Sequence, residues 1–323
     1  MSSRYTLPLF AVALALFISQ PAQGQPSYPA KSVRLIVPFP PGGGNDTVAR
    51  LVGQRLSDRL GQPVLIDNRG GAGGNIGMEM AARAPADGYA LLLGSLTTLV
   101  INTYVYKGLS FNAAKDFAPI SQLASSSLVL VIHPTVPAKS VKQLIALAKS
   151  QPGRLNYGAG STAGHLAGEL FKMTAGLDIV HIPYKGNAQA LTDLMSGQVA
   201  LLFGGVLAAQ SHVKTGRVRA LAVTGSRRSP TIPELPTVAE AGLPGFEVDS
   251  WYGILAPANT PRPIVDRLHK EIVAIVQADD FRQRLVEQGA APVGNTPEQF
   301  GSYIQRELAK WGKVIKAANV KPE

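Results

Sequence analysis

Four loops carry the residue types that could do chemistry, and they are rich in glycine and hydroxyl groups. The first, Phe39-Pro40-Pro41-Gly42-Gly43-Gly44, is followed closely by Asp46. Successive glycines between a strand and a helix let backbone N–H groups converge on an oxygen anion at the positive end of the helix dipole. A carboxylate fits such a loop without a charged side chain, although the same glycines would serve a plain tight turn. The second loop, Gly94-Ser95-Leu96-Thr97-Thr98, offers hydroxyls either as hydrogen-bond donors or as a helix cap. In the third, Gly158-Ala159-Gly160-Ser161-Thr162-Ala163-Gly164-His165, backbone donors and hydroxyls again meet a helix start. The fourth, Pro183-Tyr184-Lys185-Gly186, adds an aromatic face and a cation.

Enzyme chemistry finds less support in the same residues. Residues 158–163 match the G-x-G-x-x-A form of a dinucleotide fingerprint, but the acid at the expected spacing, Asp178, precedes its strand instead of ending it. Ser161 and His165 share one helical turn, yet G-x-S-x-G is absent and spacing alone makes no triad. The 5 histidines, at positions 133, 165, 181, 212 and 269, are dispersed without metal-ligand spacing. No catalytic residue, metal or cofactor is expected.

The elements that must position these loops follow from hydrophobic periodicity. Residues 33–38 read as a strand, and Val48, Leu51, Val52, Leu56 and Leu60 repeat at helical spacing before Gly61. Residues 64–67 and 89–94 are further strands with a helix near 76–83 between them, giving a β-α-β-α-β order and hence a parallel sheet. After a less regular stretch, a strand at 128–132 and a helix from Ser140 begin a second α/β unit, which continues through strands at 155–157, 179–182, 200–203 and 220–223. An internal echo links residues 128–134, LVLVIHP, to 251–257, WYGILAP; each is followed by a proline and a helix. These two strands read as paired crossovers. The expected lobes are then 25–124 with 250–323, and 125–249. Ligands bind outside the carboxyl ends of strands in open parallel sheets, so all four loops would face a shared cleft.

Length and composition agree. The chain has 323 residues, 46 % hydrophobic and 16 % charged, with Gly 33 and Pro 24; at about 150 residues per domain this suggests two domains. The formal net charge of +10 is scattered, with Arg227-Arg228 the one adjacent basic pair and no aromatic-basic interleaving. A diffuse positive field favours small anions over nucleic acid. Arg4 and the apolar run 7–18, then Gln20-Pro21-Ala22-Gln23-Gly24, have the layout of a secretory signal peptide cleaved near Gly24. That run is about a dozen residues, short of the roughly 20 a spanning helix needs. With Cys 0, disulfides, thiolate metal sites and a lipoprotein anchor are excluded. The expected product is a periplasmic monomer.

Seven segments, in order along the chain, carry a resemblance: VPFPPGGGND at 37–46, NRGGAGGNIG at 68–77, DGY at 87–89, GELF at 168–171, VHIPYKG at 180–186, RALAVTG at 219–225 and LPTVAEAG at 235–242. Together they resemble the Bug family, the solute receptors of tripartite tricarboxylate transporters. The resemblance implies a two-lobed, type II periplasmic-binding-protein fold of class α/β, with a mostly parallel sheet flanked by helices in each lobe and a cleft between them. It also implies closure over a small carboxylate and delivery to two integral membrane subunits. In such receptors the carboxylate is held largely by backbone groups of the loop after the first strand and by the second lobe's glycine and hydroxyl loop, here residues 39–44 and 160–165. One departure concerns the ligand. Many members carry acids after the GQV segment, whereas residues 200–206 read ALLFGGV, with Gly204 and Gly205 where an acid stands elsewhere. An ammonium group needs an anionic or carbonyl partner because an unpaired buried charge is costly. Amino acids are therefore disfavoured, and a di- or tricarboxylate or an aromatic acid is expected, stacked on Phe39, Tyr184 or Trp251. The same cleft would also serve a receptor that feeds a signalling system.

Overall fold

The computed structural model describes residues 28–184 and 186–318. The expected signal peptide and Lys185 lie outside the described residues. The chain begins as its periodicity dictates: the apolar run Val33–Val37 forms β1, buried almost throughout. Gly44–Leu60 forms α1, whose buried positions Val48, Val52, Leu56 and Leu60 line one face until Gly61, at φ 67, ends it. Then come β2 (Val64–Asn68), α2 (Asn75–Ala82) and β3 (Ala90–Ser95). β1 lies between β2 and β3, parallel to both.

The less regular stretch of the sequence holds a π-helical segment, Leu96–Ile101, a short α3 (Asn102–Val105) and a long strand, β4 (Phe117–Ile132). The sequence placed this strand's start at Leu128. Its first half was illegible because Pro119, Ser121, Gln122 and Ser125-Ser126-Ser127 break both alternation and apolar runs; the pairing slips at Pro119/Ser121 and again at Gln122/Ala124. α4 (Val141–Ser150), β5 (Asn156–Ala159), α5 (Thr162–Ala175), β6 (Val180–Pro183), α6 (Asn187–Met195), β7 (Leu201–Gly205), α7 (Val206–Lys214) and β8 (Arg219–Val223) follow. β9 (Asp249–Pro257) returns the chain to the first sheet, where α8 (Arg262–Gln277), α9 (Asp279–Glu287), β10 (Ala291–Pro292) and α10 (Pro297–Ala318) complete it.

The strands make two lobes joined by one continuous strand. β4 pairs with β9 from Phe117 to Ser127, then with β7 and β8 from Leu128 to Ile132. In each lobe the strands away from the crossing are parallel and those at the crossing antiparallel. Thr224 clamps the crossing: its hydroxyl accepts from the Leu128 N–H at 2.8 Å and donates to the Val248 carbonyl at 2.6 Å. One face of each sheet has its own core, under α1 and α8 in the first lobe and under α6 and α7 in the second. The other faces share a core in which Phe171, Phe203 and Phe246 of the second lobe continue into Trp251, Phe300 and Trp311 of the first. Among the described residues, no helix is long and apolar enough to cross a membrane.

Candidate ligand-binding site

The first candidate loop is exposed from Pro40 to Gly44. Gly43 is the N-cap of α1 and the helix start has no side-chain cap, so its first N–H groups stay open to a ligand. Gly42 holds φ +91, a conformation that favours glycine, and a Cβ on Gly42 or Gly43 would meet open space. Asp46, a candidate ligand contact, is turned inward. Its carboxylate accepts from the Gly42 N–H at 3.0 Å, from Asn68 Nδ2 at 3.1 Å and from Arg50 at 2.9 Å. Arg50 holds the carboxyl below its ordinary range, with Gly42 and Asn68 adding to the effect. Asp46 thus braces the loop from behind, with its charge paired to Arg50.

Asn68, which sequence reasoning did not single out, ties the brace together. Its amide also donates to the Phe39 carbonyl at 3.1 Å. The available signal was a polar residue at the carboxyl end of the strand beside β1. The glycine run after it makes room for the loop: a Cβ on Gly70 would lie 2.8 Å from the Pro40 ring, and one on Gly74 would lie 2.8 Å from the Pro38 carbonyl oxygen.

The second lobe builds its loop differently. Ser161 caps α5, accepting from the Gly164 N–H at 3.2 Å. A Cβ on Gly160 would stand 2.1 Å from the Gly186 carbonyl carbon, so the loops after β5 and β6 cross in contact and only glycine fits. Thr162 is half-buried beside them. The His165 ring lies flat on His181, centroids 3.9 Å apart, and His181 stacks in turn on Tyr157. Burial and the neighbouring His165 push the His181 imidazole down to about 4. Beneath this stack the Tyr157 hydroxyl donates to Glu169, which also pairs with Lys172.

Other candidate residues take places the sequence could not assign. The Ser95 hydroxyl is buried and accepts from the Thr98 N–H in a capping box, so it acts as a helix cap; Thr97 is half-buried at the first turn. Gly204 is buried within β7 opposite Val129, and it is Gly205, the half-buried N-cap of α7, that stands at the surface. The Tyr184 hydroxyl donates to Asp193 at 2.8 Å, and its ring packs on the second lobe's core. Trp251 offers no face to a ligand: it is 0 % exposed, edge-on to Phe300 and Tyr303. Its neighbour Tyr252 instead reaches the first loop, with its hydroxyl 3.1 Å from where a Cβ on Gly44 would stand. No cluster able to hold a metal ion occurs among the described residues.

Comparisons with known proteins identify the family and the fold. A family model described as "Tripartite tricarboxylate transporter family receptor" matches residues 48–320. Protein BugT of Bordetella pertussis is 37 % identical over 298 residues, covering 91 % of each chain. Among solved structures, R. palustris Rpa4515 with adipate is 39 % identical, with TM-score 0.71 over 92 % of this chain and 100 % of that one. A ligand-free TctC solute-binding protein from Polaromonas is 26 % identical, with TM-score 0.82 over 90 % of this chain and 100 % of that one. The chain therefore belongs to the Bug family of tripartite tricarboxylate transporter receptors, periplasmic solute-binding proteins of two-lobed fold.

Proposed function

We propose that this protein is exported, captures a small di- or tricarboxylate in the cleft between its lobes, and delivers it to the two membrane subunits of a tripartite transporter. The carrying observation is the exposed, uncapped start of α1 behind Gly42 and Gly43, where the acid of the first turn, Asp46, is turned away and paired with Arg50. Such an end attracts an anion through open N–H groups and the helix dipole. Residues 160–162 and Gly205 would meet the ligand from the second lobe. Polycarboxylates are favoured over aromatic acids because Trp251 is buried and the Tyr184 ring packs against the second lobe's core, which leaves Phe39 as the freer of the three expected stacking faces. The adipate in the Rpa4515 relative supports this class.

A thermal-shift screen followed by calorimetry tests the reading, since a ligand that binds only the folded form raises its midpoint. Succinate, adipate or citrate should bind, and aspartate and glutamate should bind more weakly than the best of them; tighter binding of either amino acid would overturn the ligand class. N-terminal sequencing of protein recovered from the periplasm should begin at Gln25. Co-purification with two membrane subunits tests delivery, whereas capture by a sensor-kinase ectodomain would indicate signalling.

Residues 25–124 with 250–323 are taken as one moving lobe and 125–249 as the other, hinged at Ser125-Ser126-Ser127 where β4 changes sheets. The likeness to the ligand-free receptor is greater than that to the adipate-bound one despite lower identity, which supports an open form. X-ray scattering should show compaction when a tight ligand is added; superimposable curves would count against closure.

A further inference from the structure

Tyr252 stands on β9 with its neighbours turned the other way. Trp251 packs against Phe300 and Tyr303, and a Cβ on Gly253 would meet the Phe300 ring, so both face α10. Strand alternation turns Tyr252 to the opposite face, where it packs on the core that contains Val37 and Val48. Its register partners are Ser95, at the carboxyl end of β3, and Ala124, just before the crossing serines of β4. The side chain is half-buried and reaches the start of α1 at Gly44. Among the described residues its hydroxyl has no hydrogen-bond partner, and the helix end beside it has no side-chain cap.

We infer that Tyr252 is a ligand contact: its hydroxyl donates a hydrogen bond to the carboxylate held at residues 42–44. This rests on the carboxylate reading of that loop. A half-buried phenol with no protein partner has its O–H available to a ligand, and each carboxylate oxygen has room for donors beyond the helix N–H groups. Burial raises the phenol above its ordinary value of 10.0, so the hydroxyl remains a neutral donor at physiological pH. Because Tyr252 lies on β9 within the first sheet, in the same lobe as the start of α1, its donor is in place before the second lobe moves. Gly44 completes the arrangement, since a side chain there would crowd the hydroxyl.

Calorimetry with succinate, adipate and citrate on wild type, Tyr252→Phe and Gly43→Val tests this. Gly43→Val fills the ligand's place at a backbone conformation valine accepts, φ −88 and ψ 174, and should abolish binding. Tyr252→Phe should weaken the best ligand roughly tenfold or more, as for a lost bond to a charged group, with the unliganded thermal midpoint unchanged. Unchanged affinity in Tyr252→Phe beside a weakened Gly43→Val would overturn the inference and leave the loop reading standing. If no probe binds wild type, or Gly43→Val binds as wild type does, the loop reading falls and takes the inference with it. Should Tyr252→Phe lower the unliganded midpoint, Gly44→Ala made in both backgrounds decides. It should weaken binding beside tyrosine and much less beside phenylalanine; equal effects in the two backgrounds would overturn the inference.

Discussion

The two glycine-rich strand-to-helix loops proposed to meet the ligand resemble each other in sequence and are supported by opposite means. In the first lobe, residues 39–44 are held from behind by side-chain charge: Asp46 gathers Gly42, Asn68 and Arg50 while the helix end stays uncapped. In the second lobe, residues 160–164 are held by steric contact and a cap, with Gly160 against Gly186 and Ser161 on Gly164. The difference teaches that a glycine's role depends on what lies behind it. Gly42 and Gly43 border open space, where the proposed ligand would lie, whereas Gly160 borders backbone that admits only glycine.

Mutations can break this comparison, and the largest effect is expected at Gly160. Gly160→Ala would drive a methyl into the Gly186 backbone, at a cost of about 3 kcal/mol or more in unfolding free energy by denaturant titration. A loss under about 1 kcal/mol would mean that the two loops part easily. Asp46→Ala should come next. Removing a charged acceptor from its donors costs roughly 2 kcal/mol and should weaken carboxylate binding as residues 39–44 lose their brace. Unaltered affinity in Asp46→Ala would show that the loop holds its shape without it.

Smaller effects sharpen the contrast. Ser161→Ala removes the α5 cap and should cost about 1 kcal/mol. Acid should reach the second lobe first. The folded His181 pKa, about 4, lies below the ordinary 6.5, so its unfolded form binds the proton first. The associated stability is present above about pH 6.5 and is lost as pH falls towards 4. After screening at this half-buried site the change should be on the order of 1 kcal/mol, and it should shrink in His181→Gln. The Asp46 carboxylate, depressed below its ordinary 3.8, keeps its contribution until more acid conditions, so the first loop should outlast the second in a pH series followed by hydrogen exchange. Least affected of all should be the stability of Gly43→Ala, within about 0.5 kcal/mol.

Much of the architecture was legible in the sequence. β1, α1 and β2 follow from short apolar runs, a helical repeat and a terminating Gly61, because these elements bury one face or strip of local sequence. The first half of β4 was not legible: its polar, serine-rich run is a strand only because β9 pairs with it across the crossing. In the site, the strand-to-helix glycines marked both loops, but side-chain direction did not follow from position. Asp46 and Asn68 meet only once β1 and β2 lie side by side. Trp251 and Tyr252 are adjacent aromatics that a strand sends to opposite faces, and which of them is buried depends on where α10 packs.

By itself, then, the sequence determined a family, an α/β order and the two backbone loops suited to an anion, since glycine spacing and hydrophobic period are local properties of the chain. Only the tertiary structure decided which groups those loops leave free. Asp46 is neutralised by Arg50, Tyr184 is tied to Asp193 and Trp251 is sealed in the shared core. The physical reason is that a hydrogen bond or a buried ring needs a partner brought from elsewhere in the chain, and for Trp251 the partner, Phe300, arrives on the last helix.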